Sequence, residues 1–198
     1  MAKALKKEKP ERAKKLRPIL KWAGGKTQML DQLLPKLPEK YGKYIEPFIG
    51  GGALFFALQP REAVIADSNS ELVNLYTVIR NNPHELIRQL SSMVNDSDYF
   101  YELRAVDIRK LSIVQTAART IYLNKTCFNG LYRVNKKGDF NVPFGKYKNP
   151  KICDEESILS ASSLLANKKI ILGDYKDVLK KYAKESDFIF LDPPYLPI

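Results

Sequence analysis

Short apolar runs alternate with longer stretches of helical spacing along this chain, and that alternation predicts a βαβ organisation. Tyr44-Ile45-Glu46 reads as a short strand running into Pro47-Phe48-Ile49-Gly50-Gly51-Gly52, after which Ala53 to Leu58 reads as a buried helix. Ala63-Val64-Ile65-Ala66 is a second apolar strand and ends on Asp67. From Asn69 to Arg80, Leu72, Val73, Leu75, Tyr76 and Ile79 recur in helical register. Upstream, Met29, Leu30, Leu33 and Leu34 place a helix over Lys26 to Leu34, closed by Pro35 and Pro38.

Residues 84 to 124 continue as apolar-periodic helices, around Leu86, Ile87 and Leu90, then over Tyr99 to Leu111, then over Ile113 to Leu123. From Lys125 to Pro150 the texture shifts to Asn, Gly, Lys, Tyr and Phe. Leu131 to Asn135 alternate there, and a Lys137-Gly138 turn precedes Phe140 to Val142, which predicts an inserted β-hairpin. Sheet elements resume with Lys169 to Leu172, followed by Gly173-Asp174-Tyr175, a helix over Asp177 to Ala183 and a strand over Phe188 to Leu191. No internal repeat is visible. The expected fold is α/β, with a Rossmann-like sheet built from residues 19–80 and 168–198. Residues 81–167 form an inserted helical and hairpin region, and residues 1–18 a basic flexible tail.

Composition is compatible with a packed domain, since 44% of the 198 residues are hydrophobic and 28% charged. The net charge of +11 points to an anionic partner, with nucleic acid first, because clustered Lys and Arg displace counterions from phosphates. The first 18 residues hold eight Lys/Arg against Glu8 and Glu11, a net +6, which leaves +5 for the remainder. That segment reads equally as a solvated tail or a DNA-contacting arm. The opening residues lack the apolar run of a signal peptide, and no stretch approaches a membrane span, so a cytoplasmic protein is expected. Cys127 and Cys153 have no metal-ligand spacing and read as reduced thiols, and His84, the only histidine, falls at a helix start where a surface role is expected. Neither metal hydrolysis nor histidine acid–base chemistry has its residues here.

The densest chemistry lies at Asp192-Pro193-Pro194-Tyr195, directly after an apolar strand. Ligands of open α/β sheets bind at strand carboxyl ends. The prolines fix the backbone and lack N–H groups, so the Pro193 carbonyl can be aimed into a pocket, and Tyr195 adds a stacking face. An acceptor carboxylate, a fixed carbonyl and an aromatic ring suit a flat base bearing an amino group, such as adenine N6. Two hydrogen bonds from N6–H favour the pyramidal, nucleophilic amine. The implied reaction is in-line attack by N6 on a sulfonium methyl, catalysed by positioning and charge stabilisation. An adenine stacked in a duplex must be flipped out to reach such a pocket. For Asp-Pro-Pro in isolation, a strand-end turn is the bland alternative.

Three further features favour the chemical reading. The glycine loop after Glu46, with Phe48, Gly50 and Gly52, allows close cofactor approach. Asp67, 15 residues beyond Gly52, ends the next strand where an acid can accept from ribose hydroxyls. Asp174 and Tyr175 offer an acceptor and a ring for a cofactor's adenine, with a capped turn as the alternative. Gly25-Lys26-Thr27 mimics the end of a Walker phosphate loop, but Leu20 stands where that loop needs glycine, so an ATPase is a remote alternative. Trp22 and Lys26 fit better as a stacking surface and a cation for the cofactor's carboxylate.

Leu20–Lys26 (LKWAGGK), Ile45–Gly52 (IEPFIGGG), Ala66–Asn69 (ADSN), Asn129–Arg133 (NGLYR), Phe140–Tyr147 (FNVPFGKY) and Asp192–Tyr195 (DPPY) together make the chain resemble the Dam-type DNA adenine methylases, including those of GATC-specific restriction-modification systems. The resemblance implies an S-adenosylmethionine pocket lined by Trp22, Lys26, Asp67 and Asp192, completed by the Phe48-to-Gly52 loop, Asp174 and Tyr175. It implies double-stranded DNA as partner, no metal, and a setting in a bacterial nucleoid or a phage-encoded system. The insert near Lys125 to Pro150, with Asn129 in its motif, is implied to read the target, with Lys21 near the first guanine.

On such a hairpin Arg133 and Asn135 share a face, where Arg pairs with guanine and Asn with a base edge. Leu131 and Pro143 are placed for a thymine methyl, and Phe128 for a wedge beside the vacated adenine. A surface hairpin with scattered charge is the alternative. Family members continue well past DPPY whereas this sequence stops at Ile198, so a truncated chain is expected. An inactive fragment that keeps cofactor or DNA binding is therefore the alternative to an active enzyme.

Overall fold

The computed structural model describes residues 16–194, so the basic segment over residues 1–15 and the ring of Tyr195 lie outside the described residues. Four parallel strands form one sheet in the order β3-β2-β1-β4, where β1 is Tyr44–Glu46, β2 Ala63–Asp67, β3 Lys169–Leu172 and β4 Phe188–Ile189. Tyr44 pairs with Ala63 on one side and Phe188 on the other, and Val64 pairs with Lys169. The chain thus steps outward from β1 to β3 and then returns across β1 to lay down β4. This reversal leaves a crevice between the carboxyl ends of β1 and β4.

A parallel sheet is covered on both faces, which explains why its strands read as continuous apolar runs. Side chains alternate along each strand. Ile45, Val64 and Ala66 pack with Val178 on one face, and Tyr44, Ala63 and Ile65 join the larger core on the other. The first face is covered by α8 (Tyr175–Tyr182). The second is covered by α2 (Ala53–Leu58) and α3 (Ser70–Asn81). Asn69 fixes the start of α3, its side-chain oxygen accepting from the Glu71 and Leu72 amides at 2.9 and 3.4 Å. The helix buries Leu72, Leu75, Tyr76, Val78 and Ile79.

Behind α3 stand α4 (Pro83–Ser91), α5 (Ser97–Ala105), α6 (Ile113–Thr126) and α7 (Glu155–Leu165), and one apolar core runs through α2–α4, α6 and α7. Several expected elements differ. The helix predicted over Lys26 to Leu34 is a 3₁₀ turn at Lys26–Met29, one α turn, α1 (Leu30–Leu33), and a second 3₁₀ turn at Leu34–Lys36. Pro35 supplies no N–H to continue it. The helix predicted over Tyr99 to Leu111 ends at Ala105, because Val106 and Asp107 are extended and Asp107 caps a separate turn at Ile108–Lys110. Helix α7 was not predicted, although Asp154 caps it by accepting from Ser157 N. Helix α8 starts at Tyr175 rather than Asp177, and β4 pairs only over Phe188 and Ile189. The insert narrows to single antiparallel bridges, Val134 with Phe140 and Cys127 with Phe144, not two regular strands. The turn at Phe128–Gly130, with Asn129 and Gly130 both at positive φ, bends the chain away from extended geometry between the Cys127 and Val134 bridges.

Candidate active site

At the β1–β4 crevice lies a cavity of about 510 Å³. Ten residues singled out from sequence line it: Trp22, Lys26, Glu46, Phe48, Gly50, Gly52, Asp67, Asp192, Pro193 and Pro194. They come from the segment before α1, from the carboxyl ends of β1 and β2, and from the chain leaving β4.

The glycine loop is shaped around Trp22. Gly50 has φ +46°, and a Cβ there would stand 2.7 Å from Trp22 Cδ1. Both the left-handed backbone and the ring's approach therefore require glycine. Gly52, at φ +68°, precedes α2 and donates its N–H back to Ile49 O at 2.6 Å. The buried Tyr76 hydroxyl donates to Gly50 O at 2.7 Å. Asp67 ties the loop to β2: one carboxylate oxygen accepts from Gly50 N at 3.0 Å and the other from Asn69 N at 2.9 Å. Each oxygen has a second lone pair, so this anchoring leaves acceptor capacity for a hydroxyl ligand.

Glu46 lies two residues beyond Tyr44 on the same face of β1, and the Tyr44 hydroxyl donates to its Oε2 at 2.7 Å. Burial pushes the Glu46 carboxyl up to about 8; the Tyr44 bond opposes this, and the negative charges of Asp192 and Asp67 add to it. Burial likewise raises the Tyr44 hydroxyl far above the ordinary tyrosine value. Lys26 and Asp192 meet across the cavity mouth. The ammonium lies 2.6 Å from both carboxylate oxygens and also donates to Gly24 O at 2.9 Å. Two acidic side chains, Asp67 and Asp192, and a neutral-leaning third, Glu46, thus line the cavity together with one ammonium.

Asp174 and Tyr175 are not among the residues lining this cavity. The Asp174 carboxylate caps α8, accepting from Lys176 N at 2.8 Å, and the Tyr175 ring packs against Phe48 with centroids 5.1 Å apart. Tyr175 thus reaches the site through Phe48.

The insert places Phe128, Asn129, Leu131, Arg133, Asn135 and Pro143 on the exposed surface. Within it Arg133 donates from Nε to Asn141 Oδ1 at 2.8 Å, and Asn135 Oδ1 accepts from the amides of Lys137 and Asp139, closing the turn. Both side chains therefore have bonding partners inside the hairpin. Lys21 runs beneath it: a Cβ on Gly130 would fall 2.5 Å from Lys21 Cδ, and the Lys21 ammonium stands 5.9 Å from the Tyr147 ring centre. Asn124 clamps this junction, accepting from Lys21 N and donating to Lys21 O and Gly130 O at 2.8–2.9 Å.

Four residues to which sequence reasoning gave no role link the insert to the neighbouring helices and to the segment carrying Lys21 and Trp22: Asn124, Tyr132, Glu71 and Arg119. Tyr132 stacks on Trp22 with ring centres 4.7 Å apart and donates to Glu71 Oε1 at 2.9 Å. Glu71 in turn faces Arg119 at 3.6 Å in a buried ion pair. The signal available was alternation, since Tyr132 falls between the outward Leu131 and Arg133.

Among the described residues no group of three or more His, Cys, Asp or Glu is arranged to hold a metal, and no helix is long and apolar enough to cross a membrane. Among the described residues no strand precedes Gly25-Lys26-Thr27, as a phosphate-binding loop of the Walker type requires.

Comparison with known proteins gives a consistent family. The family model described as D12 class N6 adenine-specific DNA methyltransferase matches residues 22–198. The type II methyltransferase M1.LlaDCHI of Lactococcus lactis subsp. cremoris is 50% identical over 191 residues, covering 92% of this chain and 67% of that protein. The type II methyltransferase M.MjaIII of Methanocaldococcus jannaschii is 45% identical, with 92% and 70% covered. A DNA adenine methylase of Serratia marcescens is 36% identical, with 93% and 69% covered.

Proposed function

Because this chain belongs to the D12 class N6 adenine-specific DNA methyltransferases, we propose that it methylates adenine N6 within GATC in duplex DNA, using S-adenosylmethionine and a base flipped from the helix. The observation that carries this reading is the cavity itself, which joins the Trp22–glycine loop, Asp67, Lys26 and the Asp192-Pro193-Pro194 turn at one topological reversal.

The residues present fit the cofactor. The cavity volume suits a nucleoside-sized ligand. Asp67 retains acceptor capacity for ribose hydroxyls, Trp22 and Phe48 give flat walls, and Lys26 supplies a cation for a carboxylate. Acids outnumber that cation, which suits a ligand of net positive charge. Bound there, S-adenosylmethionine supplies an electrophilic methyl group.

The chain's own residues do the rest by placement. Asp192 and the Pro193 carbonyl accept from the adenine amine, localise its lone pair and stabilise positive charge growing on nitrogen. The Lys26 ammonium holds the Asp192 carboxylate in place, so the acceptor is oriented before the base arrives. Flipping is required because N6 lies inside the stack, and the exposed Phe128 is placed to fill the gap. Arg133 and Asn135 read bases by exchanging their hairpin bonds for base edges.

The test is protection of DNA. A plasmid incubated with the protein and S-adenosylmethionine becomes resistant to a nuclease that cuts only unmethylated GATC. Continued cutting at GATC, with methyl groups incorporated elsewhere, contradicts the specificity.

A further inference from the structure

Tyr132 belongs to the insert by sequence and stands behind the cavity wall, against Trp22. Its neighbours Leu131 and Arg133 point outward, while its own ring turns in and stacks on Trp22 at 4.7 Å with 28° between the planes. A second ring, Phe140 from the opposite side of the hairpin, meets it edge-on at 5.8 Å. Its hydroxyl donates to Glu71 Oε1 at 2.9 Å, on the first turn of α3 and two residues beyond the Asn69 that lines the cavity.

The anchor behind Tyr132 is rigid for a physical reason. Glu71 Oε2 accepts from the Thr120 hydroxyl at 3.1 Å and faces Arg119 at 3.6 Å, and side-chain exposures of 10% and 4% keep water from loosening the pair. Arg119 then donates to the Leu103 and Arg104 carbonyls at the end of α5, at 3.0 and 2.8 Å. From there Arg104 returns to the hairpin by donating to Val142 O at 3.1 Å. Both sides of the hairpin are thus tied to the helices, and one side also to the wall of the cofactor cavity.

We propose that Tyr132 is a positioning residue that couples the two ligands, through its stack on Trp22 and its bond to Glu71, so that cofactor binding tightens duplex binding and the duplex tightens cofactor binding. This rests on the functional reading above. A ligand against Trp22 restricts that ring, and DNA on the outer face of the hairpin restricts Tyr132. Two stacked rings cannot be ordered independently, so the ligand that binds first bears the ordering cost for both. Linkage makes the effect reciprocal and equal in both directions.

The sole tryptophan, Trp22, is a built-in reporter. The experiment uses the full chain and two variants, Tyr132→Phe and Tyr132→Leu. The probes are S-adenosylhomocysteine and a fluorescently labelled GATC duplex. Duplex Kd is measured by anisotropy with and without saturating S-adenosylhomocysteine, and Trp22 emission is followed with unlabelled duplex. The wild type should bind duplex about tenfold more tightly with the cofactor analogue present. In Tyr132→Phe, which keeps the ring, that factor should fall at least about threefold, and in Tyr132→Leu it should approach one. Affinity for S-adenosylhomocysteine alone should change by less than about threefold, and duplex should no longer alter Trp22 emission in Tyr132→Leu. A coupling factor unchanged in Tyr132→Phe, or a wild type that binds both probes without coupling, overturns the inference. A wild type that binds neither probe overturns the functional reading and the inference with it.

Discussion

The Lys26 ammonium stands 2.6 Å from both carboxylate oxygens of Asp192, joining two residues 166 positions apart in the chain. The pair closes the gap between the segment before α1 and the turn after β4, and so brings the cation of one motif onto the acid of another. Its side chains are 15% and 25% exposed, a setting in which a charge-assisted contact is stronger than at an open surface. Lys26→Met should leave Asp192 without its cation. Roughly a tenfold or greater loss of kcat/KM is expected, together with weaker S-adenosylmethionine binding, read by steady-state kinetics and calorimetry. Kinetics matching the wild type would show that the pair contributes nothing to the site.

Gly50 is predicted to be intolerant of any side chain. Gly50→Ala forces an alanine to φ +46° and drives its methyl to 2.7 Å from Trp22 Cδ1. A loss of roughly 1–3 kcal/mol in stability is expected, by urea titration, with a shift in Trp22 emission. An unchanged emission maximum would contradict the close approach.

Glu46 carries a pH prediction. Its carboxyl titrates near 4.5 when unfolded and is pushed up to about 8 in the fold, chiefly by burial. Between those values the native state holds a proton that the unfolded chain has lost. Stability therefore falls as pH rises through this window, by about 1.4 kcal/mol per pH unit from this group alone, and the penalty is complete above pH 8. Glu46→Gln should flatten the dependence between pH 5 and pH 8 in urea titrations. Parallel wild-type and variant curves would place the carboxyl's titration outside the window.

Arg133→Ala should cost roughly 1–3 kcal/mol in discrimination between GATC and single-substitution duplexes. Because Arg133 also binds Asn141 at 2.8 Å, some loss of hairpin order is expected, which Arg133→Lys would partly spare. Equal rates on cognate and near-cognate duplexes with an active variant would remove Arg133 from base reading.

Much of this architecture is readable from local pattern. The strands at Tyr44–Glu46 and Ala63–Asp67 announce themselves as apolar runs, and Gly50 and Gly52 mark the loop where φ is positive. Helix α7 escaped because Ser157, Ser160, Ser162 and Ser163 interrupt its texture, although Ile158, Ala161 and Leu165 keep a buried stripe at spacings of three and four. The bonding of Arg133 to Asn141 and of Asn135 to its own turn depends on cross-hairpin register, which alternation alone does not fix. The Lys26–Asp192 pair and the Trp22–Tyr132 stack join distant segments, so each partner was identifiable by chemistry or spacing but not as half of a pair.

The central claim is that Asp192 is the acceptor for the reacting amine. Tritiated methyl transfer from S-adenosylmethionine to a GATC duplex, comparing the wild type with Asp192→Ala, tests it most directly. The account predicts labelled adenine with the wild type and a loss of about a hundredfold or more in the variant, with its fold retained by circular dichroism. Equal label with both proteins would contradict it.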